Sequence, residues 1–210
     1  MDFNHFKNNI KHLQNTQIGG LDWQFKLAPK MREKFDADLV LKNNPKKAAV
    51  LVLFYPNQRQ ETHFLLTLRA NYNGTHSSQI SFPGGKFDQK DELLRNTALR
   101  ETSEEVGINQ NDAMVFKEMT DVFISPSNFL VTPFLGILNY QPNFNTNYEV
   151  EKLIEIDLDE LLNDSSITNT VVTTSYADNL KVPCFKLNNH IVWGATAMML
   201  SEIRELFISL

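Results

Sequence analysis

Gly84-Gly85-Lys86-Phe87-Asp88-Gln89-Lys90-Asp91-Glu92-Leu93-Leu94-Arg95-Asn96-Thr97-Ala98-Leu99-Arg100-Glu101-Thr102-Ser103-Glu104-Glu105-Val106-Gly107-Ile108 is the stretch on which the fold turns. A glycine pair opens a loop, a helix follows, and one turn of that helix carries Arg-Glu-x-x-Glu-Glu ahead of a glycine stop. Asp91 is the expected N-cap of the helix and Gly107 its left-handed terminator. At about 100° per residue, Glu101 and Glu105 stand about 40° apart on one face, with Glu104 beside them. Leu94, Ala98, Leu99, Thr102 and Val106 sweep round the adjoining face and suit packing on a sheet. A like-charge pair at i,i+4 disfavours a helix by roughly a few tenths of a kcal/mol unless a counter-ion intervenes. Taken alone, these glutamates describe a solvated acidic face as well as a cation site. Oxygen ligands in this number suit Mg²⁺ or Mn²⁺.

The chain has 210 residues, the length of one domain, or of one domain with an N-terminal extension. The expected division is a helix and covering segment over residues 1–47 and the main domain over 48–210. Its formal charge of −5 argues against a nucleic-acid-binding face, which would be rich in Lys and Arg. No window approaches about 18 apolar residues, so no membrane span is expected, and the N-terminus lacks the apolar stretch of a signal peptide. The single cysteine, Cys184, rules out an internal disulfide and fits a reducing compartment. A soluble cytoplasmic protein is the expectation. Within Val182-Pro183-Cys184-Phe185, Cys184 reads as a small buried residue rather than a nucleophile.

Working outward from the helix, Phe3, Phe6, Ile10 and Leu13 have the spacing of an amphipathic helix, which Gly19-Gly20 ends. Residues 21–47 are polar and basic and read as a cover. Ala48 to Tyr55 is a continuous apolar run, the mark of a strand buried on both faces. Pro56 to Gln60 turns the chain, and Thr62 to Leu68 returns as the second strand of a hairpin. Strands are expected at 115–124, 129–140, 149–156, 170–176 and 182–193, with an Asn-rich loop at 139–147. A short acidic helix near 157–162 and a closing helix over 195–208 complete the chain. Strands and helices in this order predict an α/β fold with a mixed sheet between helical layers.

The stretch from Gly85 resembles the Nudix box, the metal-binding loop–helix of diphosphate hydrolases, whose usual form is Gly-x5-Glu-x7-Arg-Glu-U-x-Glu-Glu-x-Gly-U with U apolar. The loop here is one residue longer, and Glu92, Asp91 and Asp88 all compete for the position of the first acid. Leu65-Leu66-Thr67-Leu68-Arg69-Ala70, with Phe82-Pro83-Gly84-Gly85, is similar to the signature of the coenzyme A diphosphatase branch, as is Asp88-x-x-Asp91. So are Val131-Thr132-Pro133-Phe134 and Val192-Trp193-Gly194-Ala195. Gly74 stands where that branch has arginine, and Ser78 where it has glycine.

The resemblance implies a Nudix-type α/β/α sandwich in which Glu101, Glu105, Glu104 and the Gly85 carbonyl hold Mg²⁺ or Mn²⁺ and Arg100 braces the glutamates. Glu149 and Glu151 are the candidates for the general base. Arg69 and Lys86 are expected to meet substrate phosphates, and His76 and Gln79 to line the site. The implied reaction is hydrolysis of the coenzyme A diphosphate to 3′,5′-ADP and 4′-phosphopantetheine. The alternatives are hydrolysis of ADP-ribose, NADH or a nucleoside triphosphate, and a non-catalytic nucleotide-sensing module. The partner is thus a small molecule; a homodimer is a further expectation with no residue pattern behind it.

Overall fold

A computed structural model of the chain describes residues 1–32, 34–36, 40, 42–70, 79–173 and 179–209. Helix α1 (Phe3–Asn15) and the single turn α2 (Leu21–Gln24) precede the hairpin β1 (Lys46–Pro56) and β2 (Thr62–Arg69). Two short strands, β3 (Ile80–Ser81) and β4 (Gly84–Lys86), lead into helix α3 (Leu94–Val106). There follow β5 (Met114–Glu118), β6 (Val122–Ile124), β7 (Phe129–Ile137), β8 (Val150–Asp157) and the turn of helix α4 (Leu158–Leu162). The chain closes with β9 (Ile167–Val172), β10 (Leu180–Leu187), β11 (His190–Trp193) and α5 (Gly194–Ile208).

Strand β1 organises the molecule because its side chains are apolar in both directions. Val52 and Phe54 enter a cluster with Phe3 and Phe6 of α1 and Leu200, Ile203 and Phe207 of α5. The alternate residues Leu51, Leu53 and Tyr55 enter a second cluster with Ala98 and Val106 of α3. The sheet therefore lies between helical layers, in the α/β sandwich that the apolar run and the two helix patterns predict. Among the described residues eight strands form the main sheet, with β3-β2-β1-β7-β5 as its spine, β4 beside β1, β6 beside β7 and β8 beside β2. β1 and β7 are parallel and the remaining pairs antiparallel, so the sheet is mixed.

One feature of the sheet positions the site. β1 changes partner along its length: Phe54–Pro56 pair with β2, whereas Ala48–Val50 pair with Gly84–Lys86 of β4. On its other edge β2 pairs with β8 from His63 to Arg69, which meets Val150, while Thr67 and Leu68 pair with β3. The end of β2, the start of β8 and the glycine loop are thereby brought to one side of the sheet.

Several local expectations change. The 115–124 strand breaks between Glu118 and Val122 into β5 and β6. The 182–193 strand folds back on itself at Asn188 and Asn189, which take left-handed φ of 44° and 61°, and with β9 makes a separate three-stranded sheet. Asparagine tolerates that conformation, and two in a row permit a tight hairpin. Within residues 21–47, Gln24 and Leu27 are buried rather than merely covering. Gln24 donates to the Thr120 carbonyl (2.8 Å) and to Glu202 (3.1 Å) inside the protein. Among the described residues, no helix is long and apolar enough to cross a membrane.

Candidate active site

Helix α3 does not begin as its sequence suggests. Leu93 is its N-cap and makes no side-chain capping bond. Asp91, the expected cap, lies in a 3-10 turn over Gln89–Asp91 and turns its carboxylate inward. It accepts from Arg100 Nε (2.8 Å) and Nη2 (2.9 Å), from Thr97 Oγ1 (2.8 Å) and from the Asp88 amide (3.2 Å). A bidentate guanidinium–carboxylate pair is stronger than a cap made to one amide, which is why the carboxylate is drawn away from the helix end. The Arg100 guanidinium holds the Asp91 carboxyl well below the usual carboxylate range.

Asp91 is therefore the acid that braces the arginine. The extra loop residue is taken up next to it, at Glu92, which adopts a φ of 62° and is exposed. Asp88 completes the turn by accepting from the Lys90 amide (3.0 Å). The free edge of the Arg100 guanidinium reaches Glu101 (2.8 Å) and Glu104 (3.2 Å), and Nη2 reaches the Lys86 carbonyl (3.4 Å). One side chain thus ties the loop to the acidic turn of the helix.

Glu105 is buried, 4% exposed. The Gly84 amide donates to it (3.2 Å), and Arg69 Nη1 lies 3.8 Å away. Burial pushes its carboxyl up to about 7, against the opposing pull of Arg69 and Gly84. Burial likewise raises the Glu101 carboxyl, with Arg100 working against it. Glu104 is the exposed member of the three. Glu101 and the loop approach so closely that a Cβ on Gly85 would lie 2.4 Å from Glu101 Cδ, so a side chain there must displace the Glu101 carboxylate.

Glu149 arrives from the other end of the sequence. Its carboxylate is 3.8 Å from Arg69 Nη2, and its charge adds to the upward shift of both Glu101 and Glu105. Glu151 is exposed on β8. The loop before β8 is pinned to the end of α3: the Asn145 amide donates to the Val106 carbonyl (3.0 Å) and the Asn147 amide to the Glu105 carbonyl (3.1 Å). These bonds satisfy carbonyls left over at the helix C-terminus. Gly107, at φ 77°, ends the helix as expected, and a Cβ there would meet the Asn145 carbonyl oxygen at 2.9 Å. Asn147 also accepts from the Glu149 amide through Oδ1 (2.9 Å), and the Ala70 amide donates to the Glu149 carbonyl (2.8 Å). The run of asparagines was the only sequence signal for this capping loop.

Of the other residues singled out, Gln79 accepts from the Arg69 amide through its carbonyl (3.1 Å), which places it at the end of β2. Lys86 is exposed at the end of β4. His76, with Gly74 and Ser78, lies outside the described residues. Cys184 is buried and unpaired.

The donor set fits a hard divalent cation, since Glu101, Glu104, Glu105 and Glu149 supply carboxylate oxygens beside the glycine loop. Two of these carboxylates are raised by burial, and a bound cation would relieve that. Among the described residues no three His, Cys, Asp or Glu groups already converge as ligands. Arg100 and Arg69 hold the glutamates instead.

The NUDIX domain profile matches residues 45–170 of this chain. The chain belongs to the Nudix family. It is 32% identical over 166 residues to an uncharacterized Nudix hydrolase NudL of Photorhabdus laumondii, covering 79% of this chain and 87% of the relative. It is 34% identical over 161 residues to a NudL of Yersinia pestis, covering 76% and 79%. Among solved structures it is similar to the Nudix hydrolase RenU of M. smegmatis, with a TM-score of 0.56, 15% identity, and 88% and 94% of the two chains covered. A MutT/nudix family protein of Enterococcus faecalis has a TM-score of 0.50 at 13% identity, with 99% and 75% covered. The fold is thus the Nudix fold, and the chain is a Nudix hydrolase, of a family that generally uses divalent metal ions.

Proposed function

We propose that the chain hydrolyses the diphosphate of coenzyme A or its acyl derivatives, with Mg²⁺ or Mn²⁺, to 3′,5′-ADP and 4′-phosphopantetheine or its acyl form. Glu101 and Glu105 would hold the cation, joined by Glu104 and the Gly85 carbonyl. A divalent cation there supplies neutralisation of the diphosphate and a lower pKa for the attacking water. Arg100, fixed by Asp91, sets the orientation of Glu101 and Glu104. Arg69 directs its guanidinium at a substrate phosphate, with Lys86 meeting the diphosphate from the loop and Gln79 lining the approach. Arg69 Nε is buried with no hydrogen-bond partner among the described residues, a donor that a phosphate oxygen would satisfy.

Glu149 accepts the proton of the attacking water. The water oxygen bonds to phosphorus as the bridging P–O bond breaks, and the leaving phosphate departs with the electron pair. Glu149 is preferred to Glu151 because its charge reaches Glu101 and Glu105.

The observation that carries the coenzyme A reading is the lengthened loop. Asp88 and Asp91 match the Asp-x-x-Asp of that branch: the Asp88 amide donates to the Asp91 carboxylate, which also accepts from Arg100. The test is a panel of coenzyme A, acyl-coenzyme A, ADP-ribose, NADH and deoxynucleoside triphosphates, incubated with Mg²⁺ or Mn²⁺ and resolved by chromatography. Coenzyme A or its acyl form should be cleaved fastest. Preference for ADP-ribose or NADH would overturn the substrate, and no cleavage of any diphosphate would point to a nucleotide sensor. Glu105→Gln should lower kcat by orders of magnitude while the fold is retained.

A further inference from the structure

At the turn between β1 and β2, Asn57, Gln58, Arg59 and His63 meet Gln141 and Glu155 around an open cavity of about 300 Å³. It lies away from the acidic helix. His63 and Arg69 share one face of β2, because side chains alternate, and six positions along a strand span about 20 Å. Leu65, fully buried in the cluster with α3, fills the interval on that face. Hydrogen bonds within the fold hold the walls. Asn57 Oδ1 accepts from the Arg59 amide (2.8 Å) and the Glu61 amide (2.9 Å), and the Phe3 amide donates to the Gln60 carbonyl (2.8 Å). Tyr55, fully buried, donates its hydroxyl to Glu155 Oε2 (2.9 Å), and His63 Nδ1 lies 3.3 Å from the Glu61 carbonyl. The cavity is therefore shaped before any ligand enters it.

Every lining side chain is polar, so an apolar ligand would gain nothing by burial there. Arg59 and Glu155 carry opposite full charges, and the Arg59 guanidinium makes no ion pair among the described residues. A phosphate would meet Arg59 but would also face the Glu155 carboxylate as a like charge. A zwitterion suits both. We propose that the cavity binds a free α-amino acid, with its carboxylate on Arg59, its ammonium on Glu155, and a small or polar side chain among the amides of Gln58 and Gln141. A guanidinium–carboxylate fork is charge-assisted and bidentate, and it is the contact that gives a polar, water-facing cavity its affinity. This site goes beyond diphosphate hydrolysis and does not depend on it, since the cavity and the carboxylate cluster share no residue.

The test is a titration of the intact, isotope-labelled protein with glycine, L-serine and L-glutamine in turn, followed in the ¹H–¹⁵N NMR spectrum. At least one of the three should shift the amides of Arg59, Glu61, His63 and Gln141 saturably. Ethanolamine, which lacks the carboxylate, and lactate, which lacks the ammonium, should bind more weakly by roughly tenfold, the loss of one charge-assisted contact. Arg59→Ala, at an exposed position whose amide bond to Asn57 is kept, should weaken the best of the three amino acids by a similar factor. Glu155→Gln should do the same and restore binding of lactate relative to the amino acid. No saturable shift with any of the three, undiminished binding in Arg59→Ala, or tighter binding of inorganic phosphate than of the amino acids would overturn the proposal. The outcome is independent of which diphosphate the protein cleaves.

Discussion

Replacing Asp91 with asparagine tests the brace at the centre of the site. Asp91 Oδ2 accepts from Arg100 Nη2, Thr97 Oγ1 and the Asp88 amide, while Oδ1 accepts from Arg100 Nε. An amide keeps one acceptor and turns an NH₂ group toward at least one of these donors. Hydrogen bonds to charged groups contribute about 1.5–3 kcal/mol each, and breaking a fully buried ion pair costs about 3–5 kcal/mol. Asp91 is 4% exposed at its side chain but Arg100 is 16%, so water reaches part of the guanidinium. The expected loss is about 2–4 kcal/mol, a fall in Tm of about 5–15 °C for a chain of this size. Freed from Asp91, Arg100 also releases Glu101 and Glu104, so kcat should fall as well. Denaturant unfolding with Asp88→Asn and Glu92→Gln in parallel gives the comparison, each of these expected within about 0.5 kcal/mol of wild type. The pH dependence has a definite sign. The folded carboxyl lies below its unfolded value of about 3.9, so its contribution is full above that pH and is lost as pH falls toward the folded value. The gap between wild type and Asp91→Asn should hold at neutral pH and narrow in acid. A wild-type-like Asp91→Asn beside an unstable Glu92→Gln would refute the assignment of the bracing acid.

Gly85→Ala should abolish most activity while leaving the unfolding midpoint less affected, because the new Cβ would lie 2.4 Å from Glu101 Cδ and must push that carboxylate aside; circular dichroism and kcat measured together check it. Glu202 is buried against Gln24 and Thr120, and burial raises its carboxyl above the ordinary range. Its stability contribution is therefore full below the unfolded pKa and is lost as pH rises through the folded one. Glu202→Gln should flatten the pH dependence of stability above about pH 4, measured by denaturant unfolding at stepped pH. Phe6→Ala should cost about 3–5 kcal/mol, since the ring is fully buried among Phe3, Phe54, Phe116 and Phe207; a Tm shift under a few degrees would count against that packing.

Much of this arrangement is legible in short-range patterns. A helix of 3.6 residues per turn places Glu101 and Glu105 on one face whatever surrounds it, and a strand apolar on both sides requires two layers of cover. Gly107 marks the helix end because a left-handed residue is needed there. Those statements depend on neighbours within a few positions. The identity of the bracing acid did not follow in the same way. Asp91 reads as an N-cap locally, and only the bidentate reach of Arg100 across the loop draws it inward. The separate sheet of β9, β10 and β11 was likewise hidden, because the Asn188-Asn189 turn divides a stretch that looks like one strand.

The loop–helix, its cluster of carboxylates and the two-sided central strand follow from residue order alone, since each is a matter of local periodicity and residue type. The tertiary structure alone decided which acid meets Arg100 and that Glu149 stands across Arg69 from Glu105. Those contacts join β2, β8 and α3 through strand register and helix capping, and register is set by which apolar faces must be buried together rather than by any residue's near neighbours.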